Sequence, residues 1–253
     1  MKISAVIITY NEEKNIDRCL KSLIGVVDEI LVVDSYSSDR TEEICLVAGA
    51  RFIKNKFEGH IQQKNFAMNL AANDWVLSLD ADEELTPELR KSVESVNLEN
   101  SNVAYAVKRL TSFCGQWIKH CGWYPDKKIR LWNRTQGQWG GQNPHDKVIL
   151  NKGTQLVTLD GDLLHYSFYT IEQHVQTIQK FSSIAAQSAY DNGKRSNLLI
   201  NILLGPAFAF FKRYFLLLGF LDGYFGLIIS INSAYSRYLK YIKLREIERN
   251  NGC

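Results

Sequence analysis

The sequence predicts an α/β fold, with a mostly parallel central sheet flanked by helices and a C-terminal amphipathic helical appendage. Two observations carry the first part. Apolar, β-branched runs alternate with helix-period segments through the first 100 residues, and such strand–helix–strand units wind right-handedly into a parallel sheet covered on both faces. Polar and acidic residues gather where those runs end, which is where open α/β sheets bind ligands. The appendage is read from residues 198–231. They are strongly apolar, yet Gly205-Pro206, Lys212-Arg213 and Asp222 interrupt them.

In chain order, "ISAVIIT" is continuous and β-branched, the pattern of a buried strand. "NEEKNIDRCLKSL" follows as a helix, with Asn11 as its cap and Ile16, Cys19, Leu20 and Leu23 on one face. "EILVVD" is a strand. "SSDRTEEICLVAGA" is a helix capped by Ser37 or Ser38 and stopped at Gly49. "RFIK" (strand), "IQQKNFAMNLA" (helix) and "WVLSL" (strand) come next. Thr86-Pro87 opens a further helix, with proline in its first turn. Beyond residue 100, "VAYAVKRL" and "KIRLWN" read as strands, and "EQHVQTIQKFSSIAAQSAY" as an amphipathic helix. The aromatic, glycine-bearing "TSFCGQWIKHCGWYPDK" reads as an active-site loop. The expected division is a catalytic domain over residues 1–195 and a helical segment over residues 196–253.

Charge is unevenly placed. Residues 1–100 carry a net charge of −7 and the remainder +10, within a total of +3. A basic second half suits a phosphorylated substrate or an anionic membrane surface. No basic run or RNA-binding motif points to nucleic acid. Five scattered cysteines form no CxxC pair, which suits a reducing compartment. No GxGxxG or GxxxxGK[ST] follows the first strand, which argues against dinucleotide and P-loop sites. The same lack of a glycine-rich phosphate loop argues against a nucleotidyltransferase.

"WVLSLDADEEL" leaves a strand and crowds acids at its end. In extended chain Asp80 and Asp82 point to one side, and carboxylates that close repel unless a cation sits between them. The pair either holds a divalent ion with hard oxygen ligands, Mg²⁺ or Mn²⁺, or is a solvated strand end that runs into an acidic helix start. Glu83 and Glu84 read as residues of a helix's first turn or of solvent.

The ordered motifs "VIITYNEEKNIDRCLKSL", "DEILVVDSYSSDRTEEI" and "QKNFAMNLAANDWVLSLDADEEL" resemble the family-2 glycosyltransferases of GT-A fold. "GWYPDKKIRLWNR", "NPHDKV" and "LLHYSF" resemble its lipopolysaccharide core β-glucosyltransferase subgroup. The resemblance implies an inverting, metal-dependent transfer of a hexose from a nucleotide-diphosphate sugar, UDP favoured, to a lipid-linked glycan acceptor. Asp80-Ala81-Asp82 corresponds to the family's DxD motif, with Asp82 on the metal and Asp80 facing the ribose or the metal's waters. Thr9, Asn11 and Glu12 would line the nucleotide pocket, a role Asn11 and Glu12 can combine with helix capping. Asp34 would bond the base or ribose, or close a strand-end turn. Lys64 would reach the diphosphate, or stand solvated on its helix. Arg130 would clamp the diphosphate, or be an exposed strand arginine. Asp146 is the expected base, with Asp126 as the alternative and His145 as a metal or phosphate ligand. Subgroup relatives often have His-Glu where this chain has His145-Asp146. Trp123 and Tyr124 would stack on a sugar, or pack their loop. His165 reads as a structural histidine.

The expected location is cytoplasmic, on the inner face of the cell membrane. Residues 194–253 carry nine Lys/Arg against three Asp/Glu, and the charges that interrupt the apolar run argue against a spanning helix. The competing use of this segment is packing on the catalytic domain or forming a homo-oligomer interface. The competing functions are transfer to polyprenyl phosphate and non-catalytic binding of a nucleotide sugar.

Overall fold

The computed structural model describes residues 2–142 and 145–252. The elements in order are β1 (Ile3–Thr9), α1 (Ile16–Leu23), β2 (Glu29–Asp34), α2 (Thr41–Val47), β3 (Arg51–Lys54), α3 (His60–Leu70), β4 (Trp75–Asp80), β5 (Glu83–Leu85) and α4 (Pro87–Glu94). They continue with β6 (Val103–Phe113), β7 (Gln116–Trp117), β8 (Asp126–Asn133), β9 (Gly137–Gln142), β10 (His145–Leu150), β11 (Gln155–Phe168), α5 (Ile171–Asp191), α6 (Gly205–Phe211) and α7 (Gly223–Asn250). The chain divides into two compact units, residues 1–110 with 126–166, and residues 111–125 with 167–253.

The first unit holds the sheet order β3-β2-β1-β4-β8-β6-β11-β5. The pairs among β3, β2, β1 and β4 are parallel, as the alternating first half dictates. β8 then runs antiparallel to both β4 and β6, and β11 antiparallel to β5, so the fold is α/β with a mixed central sheet. Alternate residues of β1 serve opposite faces. Ile3, Ala5 and Ile7 pack with Ile16, Cys19, Leu20 and Leu23 of α1. Val6 packs with Ala67 and Met68 of α3 and with Trp132 and Trp139. Cys19 and Cys45 are fully buried, as their helix positions predict.

Three local expectations are corrected. Asn11 is not a helix cap: α1 starts at Ile16 and Asn11 adopts a positive φ of 54°. Its side-chain oxygen accepts from the Ser38 amide instead. The second helix starts at Thr41, not after Ser37 or Ser38. Asp39 accepts from the Thr41 amide, while the Ser37 hydroxyl donates to Asp34. Glu83 and Glu84 belong to a strand, not to a helix turn. The expected cap at Thr86, with Pro87 at the first helical position, is present.

In the second unit, Phe113, Ile118, Cys121 and Ile229 form one apolar cluster. α5 opens on a reciprocal cap between Thr170 and Gln173. It packs along α7 through Ala186, Ala189 and Leu244.

Candidate functional site

Parallel pairing brings three strand ends level. Thr9 stands opposite Asp34, and Ile8 opposite Asp80. From that row a chain of alternating charges crosses the first unit. Asp146 accepts from Lys64 at 2.8 Å, and Lys64 also pairs with Asp80 at 3.0 Å. Asp80 accepts from Arg130 at 2.9 Å, and Arg130 donates to Glu83 at 2.5 Å. Arg109 lies 3.5 Å from Glu83 and donates to Asp126 at 2.7 Å, and Lys128 adds a contact to Asp126 at 3.1 Å. The Lys64 ammonium also sits over the Trp139 ring, 4.3 Å from its centroid.

Burial alone would push the Asp80 carboxyl up, but the charges of Lys64 and Arg130 outweigh it and hold it well below the usual carboxylate range. Burial likewise opposes the charge on Arg130, and Glu83 and Asp80 more than restore it. Asp126 is lowered in the same way, with Arg109 overcoming its burial. Glu12 moves the other way. Its burial raises it, and Asp82, Asp39 and Asp80 add to that.

The two acids of the motif therefore differ. Asp80 is clamped by two cations. Asp82 instead faces the His165 ring, with Oδ2 3.3 Å from Nε2. The pairing of β5 with β11 sets this up, since it places His165 opposite Glu83, and the Tyr166 amide donates to the Asp82 carbonyl. The Asp82 carboxylate supplies the hard oxygen that Mg²⁺ or Mn²⁺ takes, and the His165 nitrogen beside it is a second donor suited to a transition ion such as Mn²⁺ rather than to Mg²⁺. Among the described residues, no cluster of three or more His, Cys, Asp or Glu side chains is assembled.

The remaining expected residues stand as follows. Thr9 is buried, and its hydroxyl has no hydrogen-bond partner among the described residues, a state shared by Arg130 Nε, Trp139 Nε1 and Thr154 Oγ1. Buried polar atoms of this kind are uncommon in native structures. Asp34 is buried, with its oxygens accepting from the amide and hydroxyl of Ser37, so a nucleotide would share them. Glu12 accepts from Asn15. Asn143 and Pro144 of the "NPHDKV" motif, and the side chain of His145, lie outside the described residues. Trp123 and Tyr124 belong to the second unit. Trp123 packs there against Phe113, Phe168 and His174, with ring centroids about 6 Å apart.

Sequence reasoning missed three features. Glu83 is fully buried and joins Arg130 to the Asp80 amide, which donates to it at 3.0 Å. His165 faces the acid motif. Tyr10 and Tyr36 follow the ends of β1 and β2 as exposed rings, and the positive φ of Tyr36 (62°) marks a constrained turn. Their place just past two apolar strand runs was the clue available in the sequence.

Residues 4–150, more than half of the chain, match the family described as Glycosyl transferase family 2. The chain belongs to glycosyl transferase family 2. An uncharacterized glycosyltransferase of Rickettsia typhi is 35% identical over 257 residues, covering 97% of this chain and 87% of its own. The lipopolysaccharide core biosynthesis glycosyltransferase LpsC of Rhizobium meliloti is 26% identical over 259 residues, covering 95% and 93%. Among solved structures, glucosyl-3-phosphoglycerate synthase from Mycobacterium tuberculosis, in complex with Mn²⁺, UDP and glucosyl-3-phosphoglycerate, is 25% identical. It covers 44% of each chain at a TM-score of 0.34, too slight a likeness to bear on the site. As a family-2 member the protein is a glycosyltransferase, with an acid motif at the end of β4.

Proposed function

We propose that this glycosyltransferase moves a hexose from a UDP-sugar to a hydroxyl of a lipopolysaccharide core or related cell-envelope glycan, inverting the anomeric centre in one displacement. The observation that carries the reading is the divided acid motif. Lys64 and Arg130 fix Asp80, while Asp82 is left to His165. The similarity to LpsC along nearly the whole chain supports the acceptor class.

The residues divide the work. Thr9, Asp34 and Asp80 end adjacent strands and offer polar atoms to the nucleoside and its phosphates. Asp82 and His165 are the residues that would hold Mg²⁺ or Mn²⁺, whose chemistry there is to offset the charge gathering on the departing diphosphate. Asp146 takes the proton of the acceptor hydroxyl as its oxygen bonds to the anomeric carbon. The bond from that carbon to the β-phosphate oxygen breaks, and UDP leaves with the electron pair. Lys64, shared by Asp146 and Asp80, fixes the base relative to the acid motif.

The test uses the purified full chain with UDP-glucose, UDP-galactose or UDP-N-acetylglucosamine, plus Mn²⁺ and a core oligosaccharide, and reads the anomer of the product by NMR. A β-linked product from an α-linked donor is expected. Retention of configuration, or no turnover of any donor, would overturn the reading. Transfer to polyprenyl phosphate in place of the oligosaccharide would replace the acceptor.

A further inference from the structure

The apolar run of the second unit looks different once its charges are placed. Leu198–Leu216 is helical throughout, with α6 flanked by π-helical turns at Leu198–Leu204 and Lys212–Leu216. It is long and apolar enough to cross a membrane, yet only 11% of it is buried. Leu199, Leu203, Leu204, Phe208, Phe211 and Phe215 are all exposed. A helix apolar on nearly every side belongs in a core or in lipid. This one is in no core, and water tolerates few patches of that size.

The interrupting charges turn inward. Between residues 198 and 221 the charged side chains are Lys212 and Arg213. Arg213 donates from Nε to Ser233 Oγ at 2.7 Å and from Nη1 to the Cys121 carbonyl. Asp222, next along the chain, is buried. It accepts from the amides of Lys119 at 3.2 Å and His120 at 2.8 Å, and meets His120 Nδ1 at 3.0 Å. Only Lys212 is left outside, on a stem long enough to carry its ammonium to a headgroup. Of the charges that interrupt the run, Arg213 and Asp222 are thus withdrawn from the surface.

Both ends of the helix are tied down. The Ser196 amide and hydroxyl donate to Glu248 near the end of α7, at 2.7 and 2.5 Å. At the other end the Cys121 amide donates to the Leu217 carbonyl at 3.0 Å. Between them the packing is close. A Cβ on Gly205 would lie 2.6 Å from Arg237 Nε of α7. A helix held lengthwise against α7 cannot swing out to cross a bilayer.

We propose that residues 198–221 form an apolar ridge that sinks lengthwise into the acyl region of one leaflet of a phospholipid bilayer, without crossing it. The apolar ridge supplies insertion, and the nine basic residues of 194–253 against three acids favour anionic headgroups beside it. The proposal does not depend on which sugar is transferred.

The test uses the full chain and sealed vesicles of phosphatidylethanolamine and phosphatidylglycerol. The wild type should float with the vesicles in both low and high salt. Leu203→Glu combined with Phe208→Glu, at positions 58% and 57% exposed, should keep the wild-type melting temperature and weaken vesicle binding at least about tenfold. A membrane-impermeant amine reagent added outside should still label the exposed Lys119. Three results would overturn the proposal: release by high salt, which means surface attachment only; equal binding of the double variant; and protection of Lys119, which means crossing. Failure to bind vesicles would overturn it too, and a lipid-free oligomer that the double variant dissolves would then assign the face to a second copy.

Discussion

Replacing Glu83 by Gln tests the charge lattice where sequence and structure differ most. Glu83 is fully buried and Arg130 is 3% exposed, and Oε1 accepts from Arg130 at 2.5 Å while Oε2 accepts from the Asp80 amide at 3.0 Å. Gln keeps the shape but turns one of those oxygens into a donor. It then faces either Arg130 or the Asp80 N–H, donor against donor, and a buried guanidinium loses one of its two carboxylates. Breaking a buried pair in this way costs about 3 kcal/mol, or roughly 6–12 °C of melting temperature for a chain of this size. The neighbour serves as control. Glu84 accepts from the Tyr166 hydroxyl at 2.7 Å and has Arg18 3.9 Å away in a half-exposed setting. Glu84→Gln should therefore cost at most about 1 kcal/mol. Calorimetry reads the melting temperatures, and titration with UDP and Mn²⁺ reads the site. Glu83→Gln should also weaken nucleotide binding, because Arg130 and the Asp80 backbone lose their common anchor. A Glu83→Gln protein that melts with the wild type, or a costlier Glu84→Gln, would refute the reasoning.

Two further outcomes follow from the site and the second unit. Asp146→Asn should lower kcat by about 10²–10⁴-fold while leaving UDP affinity nearly unchanged, since a base acts in the transition state; a large loss of affinity would make Asp146 a binding residue and Asp126 the preferred base. Burial lowers His174 from 6.5 to about 4, so the unfolded chain takes up a proton before the folded one does. Its stabilising contribution is whole above about pH 6.5 and is lost as pH falls towards 4, to the extent of about 3 kcal/mol. Urea melts across that range should show a shallower slope in His174→Gln than in the wild type, and equal slopes would contradict the assignment.

The legible parts of this chain are those with local causes. The runs that form β1, β2 and β4 are apolar because both faces of the sheet are covered, and Asp80 and Asp82 stood out because a strand end and a spacing of two are visible in one short stretch. Asn11 misled because its partner is Ser38, 27 residues away, and a cap and a loop clasp use the same residue type. Glu83 and Glu84 were indistinguishable in sequence. Their opposite environments come from pairing with β11, some 80 positions later, which also brings His165 to Asp82. Lys64 and Asp146 were each singled out, yet their contact, across 82 positions, is a property of the fold. The inward turn of Arg213 and Asp222 is likewise invisible to a hydropathy count, which sees that a charge is present and not where it points.

The central claim is that Asp82 is the metal-facing acid of a sugar-transfer site. The most direct measurement is the transfer rate of Asp82→Asn at saturating Mn²⁺, with the fold checked by melting. Loss of charge stabilisation on the leaving diphosphate should remove several kcal/mol of barrier lowering, about a thousandfold in rate, at an unchanged melting temperature. Transfer at close to the wild-type rate would contradict the claim.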